Sequence, residues 1–114
     1  MILRYKEYIA EIDFDEEADL FHGQVINLRD VITFQGRCID ELRQALADSV
    51  EDYLEFCAER GEAPEKPFSG KFVLRVRPEV HRSIVIAAAR ERKSLNAWAK
   101  DVLEAAAKVA VSDQ

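Results

Sequence analysis

Lys71 and Arg75, with Val73 between them, are the residues of this 114-residue chain whose types and spacing best suit a recognition chemistry. In the run Lys71-Phe72-Val73-Leu74-Arg75-Val76-Arg77-Pro78 they share one face of a period-two alternation, and Phe72, Leu74 and Val76 share the other. A strand divided in this way buries one face and offers two cations on the other. Paired with a second strand, it makes a ribbon of a width that enters the DNA major groove, where Lys71, Val73 and Arg75 face the bases. Arginine and lysine can donate to base edges or phosphates there, whereas Val73 can meet a thymine methyl but cannot donate a hydrogen bond.

Other constellations suggest catalysis or metal binding and fail on detail. Asp13, Asp15, Glu17 and Asp19 alternate like a calcium loop, but Ala18 stands where the loop needs glycine and Gln24 where it needs a bidentate glutamate. His22 lies near acids without a nucleophile or an orienting partner, so it reads as a structural or exposed histidine rather than a general base. A metal-dependent nuclease would need carboxylates converging from separate elements, and only Asp13 and Glu41 suggest themselves. Cys38 and Cys57, nineteen positions apart on one predicted helix, would sit about 28 Å apart, beyond disulfide reach. With no CxxC pair, P-loop, GxGxxG or GxSxG, the reading assigns no catalytic residue, no metal and no cofactor.

The elements that must position the ribbon follow directly after it. Pro78 suits the first turn of a helix whose positions Val80, Ile84, Ala87, Ala88 and Glu91 recur at helical spacing. Ser94 is a good N-cap for a second helix, with Leu95, Trp98, Ala99, Val102, Leu103 and Ala106 forming its apolar stripe. Trp98 belongs to that stripe and reads as core. Strand, helix, helix is the order of a ribbon-helix-helix unit. A lone strand leaves its backbone groups unpaired, and the economical partner is the same strand of a second copy, so the order implies a homodimer. The plainer alternative makes residues 71–76 one more strand of the preceding sheet.

Ahead of the ribbon, Tyr8, Ala10, Ile12 and Phe14 alternate with Glu7, Glu11 and Asp13, predicting a strand. Asp15–Asp19 reads as a polar turn, Leu20–Ile26 as the return strand, and Val31–Gln35 as a third. Ile39, Leu42, Leu46, Val50, Tyr53, Leu54 and Cys57 then mark a long helix, with Cys38 at its cap, Glu41 as reciprocal partner and Gly61 as its stop. Pro64 and Pro67 stiffen a linker. The predicted division is therefore 1–61, a linker over 62–69, and 70–114.

Charge divides the chain at the same place. Residues 70–114 carry nine Lys and Arg against five Asp and Glu, a balance of +4, while residues 1–69 carry seven against seventeen, a balance of −10. The whole-chain charge of −6 hides both. A basic module can bind phosphates while an acidic one stays clear and suits a basic partner, although most single carboxylates, Glu51, Asp52, Glu55, Glu59 and Glu62 included, serve solubility. Arg4, Lys6 and Glu7 without a long apolar run predict neither a signal peptide nor a membrane span, hence a cytoplasmic chain.

With the runs Phe21-His22-Gly23, Leu28-Arg29-Asp30-Val31-Ile32-Thr33-Phe34-Gln35-Gly36, Ser49-Val50-Glu51-Asp52-Tyr53-Leu54 and Lys66-Pro67-Phe68-Ser69-Gly70-Lys71-Phe72, the chain resembles HicB-type antitoxins over nearly its whole length. The resemblance implies an α+β protein with a partial ribonuclease-H-like first domain of three strands and a long helix. That domain would wrap a small, basic, mRNA-cleaving toxin of the HicA type and mask its active site. It implies repression of the protein's own operon through operator DNA, by a homodimer or a higher even-numbered assembly, and no enzymatic activity. The family carries either a ribbon-helix-helix or a helix-turn-helix tail, and residues 71–108 fit the first. In related ribbon proteins the second helix's N-terminus holds a phosphate, a role that falls here on Ser94, Leu95 and Asn96. The competing reading is a stand-alone ribbon-helix-helix regulator whose first domain senses something else.

Overall fold

A computed structural model describes residues 1–111; residues 112–114, the end of the expected tail domain and the site of Asp113 in its charge balance, lie outside the described residues. The chain is α+β and divides into two compact units, Met1–Lys71 and the residues from Phe72 onward.

The first unit is an antiparallel sheet of β1 (Ile2–Tyr5), β2 (Tyr8–Asp15), β3 (Leu20–Val25) and β4 (Thr33–Gly36), in that spatial order, with the helix α1 (Ile39–Glu59) packed on it. The expected three strands are thus four. β1 folds back on β2 through Lys6, held at φ 53, which brings Leu3 opposite Ala10. β3 stops before Ile26 and β4 starts after Val31, because Asn27 at φ 62 turns the chain while the Val25 amide still reaches the Ile32 carbonyl at 3.0 Å.

Strand alternation sends Leu3, Tyr8, Ala10, Ile12, Val25 and Phe34 to one face, where Leu42, Leu46 and Val50 of α1 close the core. Those three helix side chains are fully buried, each contributing roughly 1.5–3 kcal/mol. Gly23 lies on that face between Ile12 and Phe34, its cross-strand neighbours. A Cβ there would come within 2.3 Å of the Phe34 ring and 2.8 Å of the Ile12 side chain, so the strand carries no side chain at the point where the ring crosses it.

Both ends of α1 have identifiable stops. Cys38 caps the start with no side-chain hydrogen bond, and Glu41 reaches back to accept from the Arg37 amide at 2.6 Å, one residue before the cap position it was expected to serve. At the other end Gly61, at φ 67, donates to Ala58 and the Glu62 amide donates to Cys57 at 2.9 Å, the paired bonds of a Schellman stop.

Residues 62–69, expected as a linker, contain no helix or strand but are fastened at Glu65 and Pro67 to the rest of the first unit. The Glu65 amide donates to the Tyr53 hydroxyl at 3.1 Å, the Glu65 carboxylate accepts from the Arg29 amide at 3.0 Å, and the Asn27 side-chain amide donates to the Pro67 carbonyl. Pro67 is buried. Tyr53 in turn meets Tyr8 edge to face at 6.3 Å, and burial pushes its hydroxyl pKa up.

The second unit contains α2 (Pro78–Arg90) and α3 (Leu95–Val111). Pro78 fixes the first turn, and Ser94 caps α3 by accepting from the Ala97 amide at 3.0 Å. Between them α2 closes with the same Schellman pair of bonds, Arg92 to Ala89 and Lys93 to Ala88, but Arg92 rather than glycine takes the left-handed position, at φ 57. Residues 71–77 carry no strand, contrary to the expectation over 71–76. The reason is physical: a strand is completed by a ladder, and none of the described residues offers one to this segment.

Candidate functional site

In the second unit the helices meet each other, yet Ala88 is its sole buried residue among those described. The apolar face expected to be core stands open instead. Phe72 is 77% exposed and Leu74 60%, little different from Val73 on the opposite face at 84%. Val85, Ile86, Leu95, Val102 and Leu103 on the two helices are exposed as well. The segment ahead of α2 and the two helices after it thus expose contiguous apolar side chains, a feature characteristic of interaction surfaces.

The residues expected to read DNA fall in three places. Lys71 ends the first unit, with its amide donating to the Ser69 hydroxyl at 3.2 Å. Val73 and Arg75 lie in the exposed segment ahead of α2, and Ser94, Leu95 and Asn96 form the capped start of α3, where the helix's first N–H groups point outward. Ion pairing sorts the tail's cations further than the sequence could. Lys93 is held by Asp101 at 2.8 Å, a hydrogen bond that raises the lysine pKa and lowers the aspartate's. Arg77 pairs with Glu79 at 3.5 Å and Lys100 with Glu104 at 3.9 Å. Among the described residues no acid holds Lys71, Arg75, Arg82, Arg90 or Arg92, and the last three, not singled out by sequence pattern, are equally available to phosphates.

The first unit presents an acidic surface. On the sheet face turned away from α1, Glu11 and Asp13 stand beside Gln24 and His22, and His22 is opposite Gln35 on β4. The His22 ring nitrogen Nε2 lies 3.4 Å from the Asp15 carboxylate, whose other oxygen accepts the amides of Glu17 and Ala18. The acidic run at Asp15–Asp19 therefore closes a turn by an Asx hydrogen bond, with Asp19 at φ 55. Asp13 and Glu41 do not meet. Asp13 faces away from the helix, and Glu41 is engaged at the helix start. Among the described residues no cluster of three or more metal-ligating side chains forms. An open cleft of about 300 Å³ lies at the end of this hairpin, lined by Phe14, Ala18, Asp19, Leu20 and Arg37. Cys38 is exposed and Cys57 buried, both as free thiols. Among the described residues no helix is long and apolar enough to cross a membrane.

The model of the HicB family matches residues 53–103, from the last two turns of α1 through the 62–69 segment and α2 into α3. Over that stretch the chain is similar to the HicB family. No curated protein and no solved structure matches it.

Proposed function

We propose that this HicB-type chain is the antitoxin of a toxin–antitoxin pair, with a toxin-binding first domain and a ribbon-helix-helix tail that represses its own operon. The first domain, read as a partial ribonuclease-H-like fold, binds a small basic mRNA-cleaving toxin of the HicA type and blocks its active site without chemistry of its own. The tail pairs with a second copy, its 71–76 segments forming an antiparallel ribbon. Lys71, Val73 and Arg75 then face base edges, and the N-terminal turn at Ser94, Leu95 and Asn96 holds a phosphate.

The observation that carries the reading is the second unit's lack of a core: Phe72, Leu74, Val76, Val85 and Ile86 are all exposed in the single chain. A second copy supplies the missing ladder and the missing half of the core at once. The opposite charges of the two halves support separate partners for each.

The test is co-expression of residues 1–71 or the full chain with the adjacent gene's product. Both should co-purify with a basic toxin and protect mRNA, and only the full chain should shift the upstream DNA. A folded full chain that shifts DNA but neither binds nor protects against that product is instead a stand-alone regulator.

A further inference from the structure

We propose that Tyr53, Asn27 and Glu65 are positioning residues for operator binding: they latch the 62–69 segment to the first unit and thereby deliver Lys71 to the DNA from a fixed point. The inference rests on the DNA role proposed above for Lys71.

Three anchors on two different elements hold the latch. Tyr53 on α1 accepts the Glu65 amide at 3.1 Å, and Arg29, in the loop between β3 and β4, gives its amide to the Glu65 carboxylate at 3.0 Å. Asn27, in the same loop, donates to the Pro67 carbonyl while holding a left-handed backbone at φ 62. Pro67 is buried, whereas Glu62, Ala63, Pro64 and Lys66 around it are exposed, so the segment is fastened at chosen points rather than wrapped in a core.

The mechanical consequence follows from chain length. If residues 62–71 were a free linker, their extended reach would be about 33–36 Å. Once Pro67 is fixed, only Phe68, Ser69, Gly70 and Lys71 remain before the second unit begins, a reach of about 13–14 Å. Even those four are not slack. Gly70 turns at φ 88, and the Ser69 hydroxyl both accepts from the Lys71 amide at 3.2 Å and donates to the Lys71 carbonyl at 3.3 Å. A lysine whose backbone is already confined loses less freedom on meeting a base or phosphate than one on a loose tether.

The test is a double-mutant cycle in the full chain. Asn27→Gly deletes the amide donor at a backbone conformation glycine accepts, and Tyr53→Phe deletes the hydroxyl while keeping the ring that packs on Tyr8. The pair of changes should raise amide exchange at Glu65, leave the first unit folded by circular dichroism, and weaken operator binding about three- to tenfold. In a Lys71→Ala background the same pair should change affinity by less than about twofold, because the delivered group is gone. Equal losses in both backgrounds, no loss in either, or unchanged exchange at Glu65 would each overturn the latch. If Lys71→Ala by itself leaves operator affinity unchanged, the DNA role of Lys71 falls and the latch falls with it.

Discussion

The Tyr5 hydroxyl donates to the Glu51 carboxylate at 2.5 Å, joining the first strand to the middle of α1 across 46 positions of sequence. Lys6 completes the clasp, with its ammonium 2.5 Å from the same oxygen. The Lys6 hydrogen bond and then the Tyr5 one hold the Glu51 carboxyl below its ordinary pKa near 4.5, while Glu51 raises the pKa of both partners. A depressed acid contributes stability that is present above its unfolded pKa and is lost as pH falls through the folded one. The raised Lys6 and Tyr5 contribute below their ordinary values of 10.5 and 10.0, and that part is lost as pH rises through the folded values. Glu51→Gln should therefore lower the Tm of the first unit at neutral pH, and the gap to the parent should close below about pH 4.5. A gap of constant size across a pH series of melts would show that the clasp does not contribute.

Gly23→Ala should destabilise the first unit by about 1–3 kcal/mol, since its Cβ must displace the Phe34 ring or bend β3. Denaturant unfolding of residues 1–71 measures this directly. An unchanged midpoint would mean that the ring moves aside at no cost.

The turn between the tail's helices permits two opposite changes. Ser94→Ala removes the cap on the Ala97 amide and should cost about 1 kcal/mol. Arg92→Gly relieves a left-handed backbone on a residue with a Cβ and should gain up to about 1 kcal/mol, less whatever the unfolded chain gains in freedom. Melts of the full chain at one fixed protein concentration give both signs.

Leu74→Asp places a charge where a second copy's ribbon would pack, a cost on the order of several kcal/mol. Sedimentation should show a monomer whose first unit still melts cooperatively and whose operator binding is lost. A dimer held through the tail with normal operator affinity would contradict the ribbon.

Arg75→Ala should remove about 1–3 kcal/mol of specific binding and relax preference at the base it contacts. Gel-shift titration against the upstream palindrome, in parallel with an unrelated duplex, separates that loss from a uniform phosphate effect.

Periodicity made β2, β3, α1, α2 and α3 legible, because each buries or offers one face at a fixed spacing, as Leu42, Leu46 and Val50 do on α1. The capping serine at position 94 was equally local and equally readable. β1 was missed because Ile2-Leu3-Arg4-Tyr5 is too short to show alternation and is defined by its pairing with β2. The anchoring of residues 62–69 was missed for a related reason: Pro64 and Pro67 read locally as a spacer, and the groups that bind Pro67 and Glu65, on Asn27 and Tyr53, lie farther back in sequence. As for Lys71, Val73 and Arg75, their alternation is legible in the sequence, while no described residue supplies the ladder that would make the segment a ribbon.

Among its described residues the tail buries only Ala88 by itself, so under the proposed pairing the intact state of this protein would be a matter of copy number. If the tail pairs with a second copy as proposed, its folding follows mass action, so on dilution the fraction of chains with an ordered tail would fall while the first unit, with its own core, would stay folded. Scarce copies would then carry an open, apolar segment beside two loosely packed helices, which is the kind of substrate that proteases cut fastest. Abundance would thus protect each molecule, and scarcity would hasten its removal, giving the protein a lifetime that depends on how much of it there is.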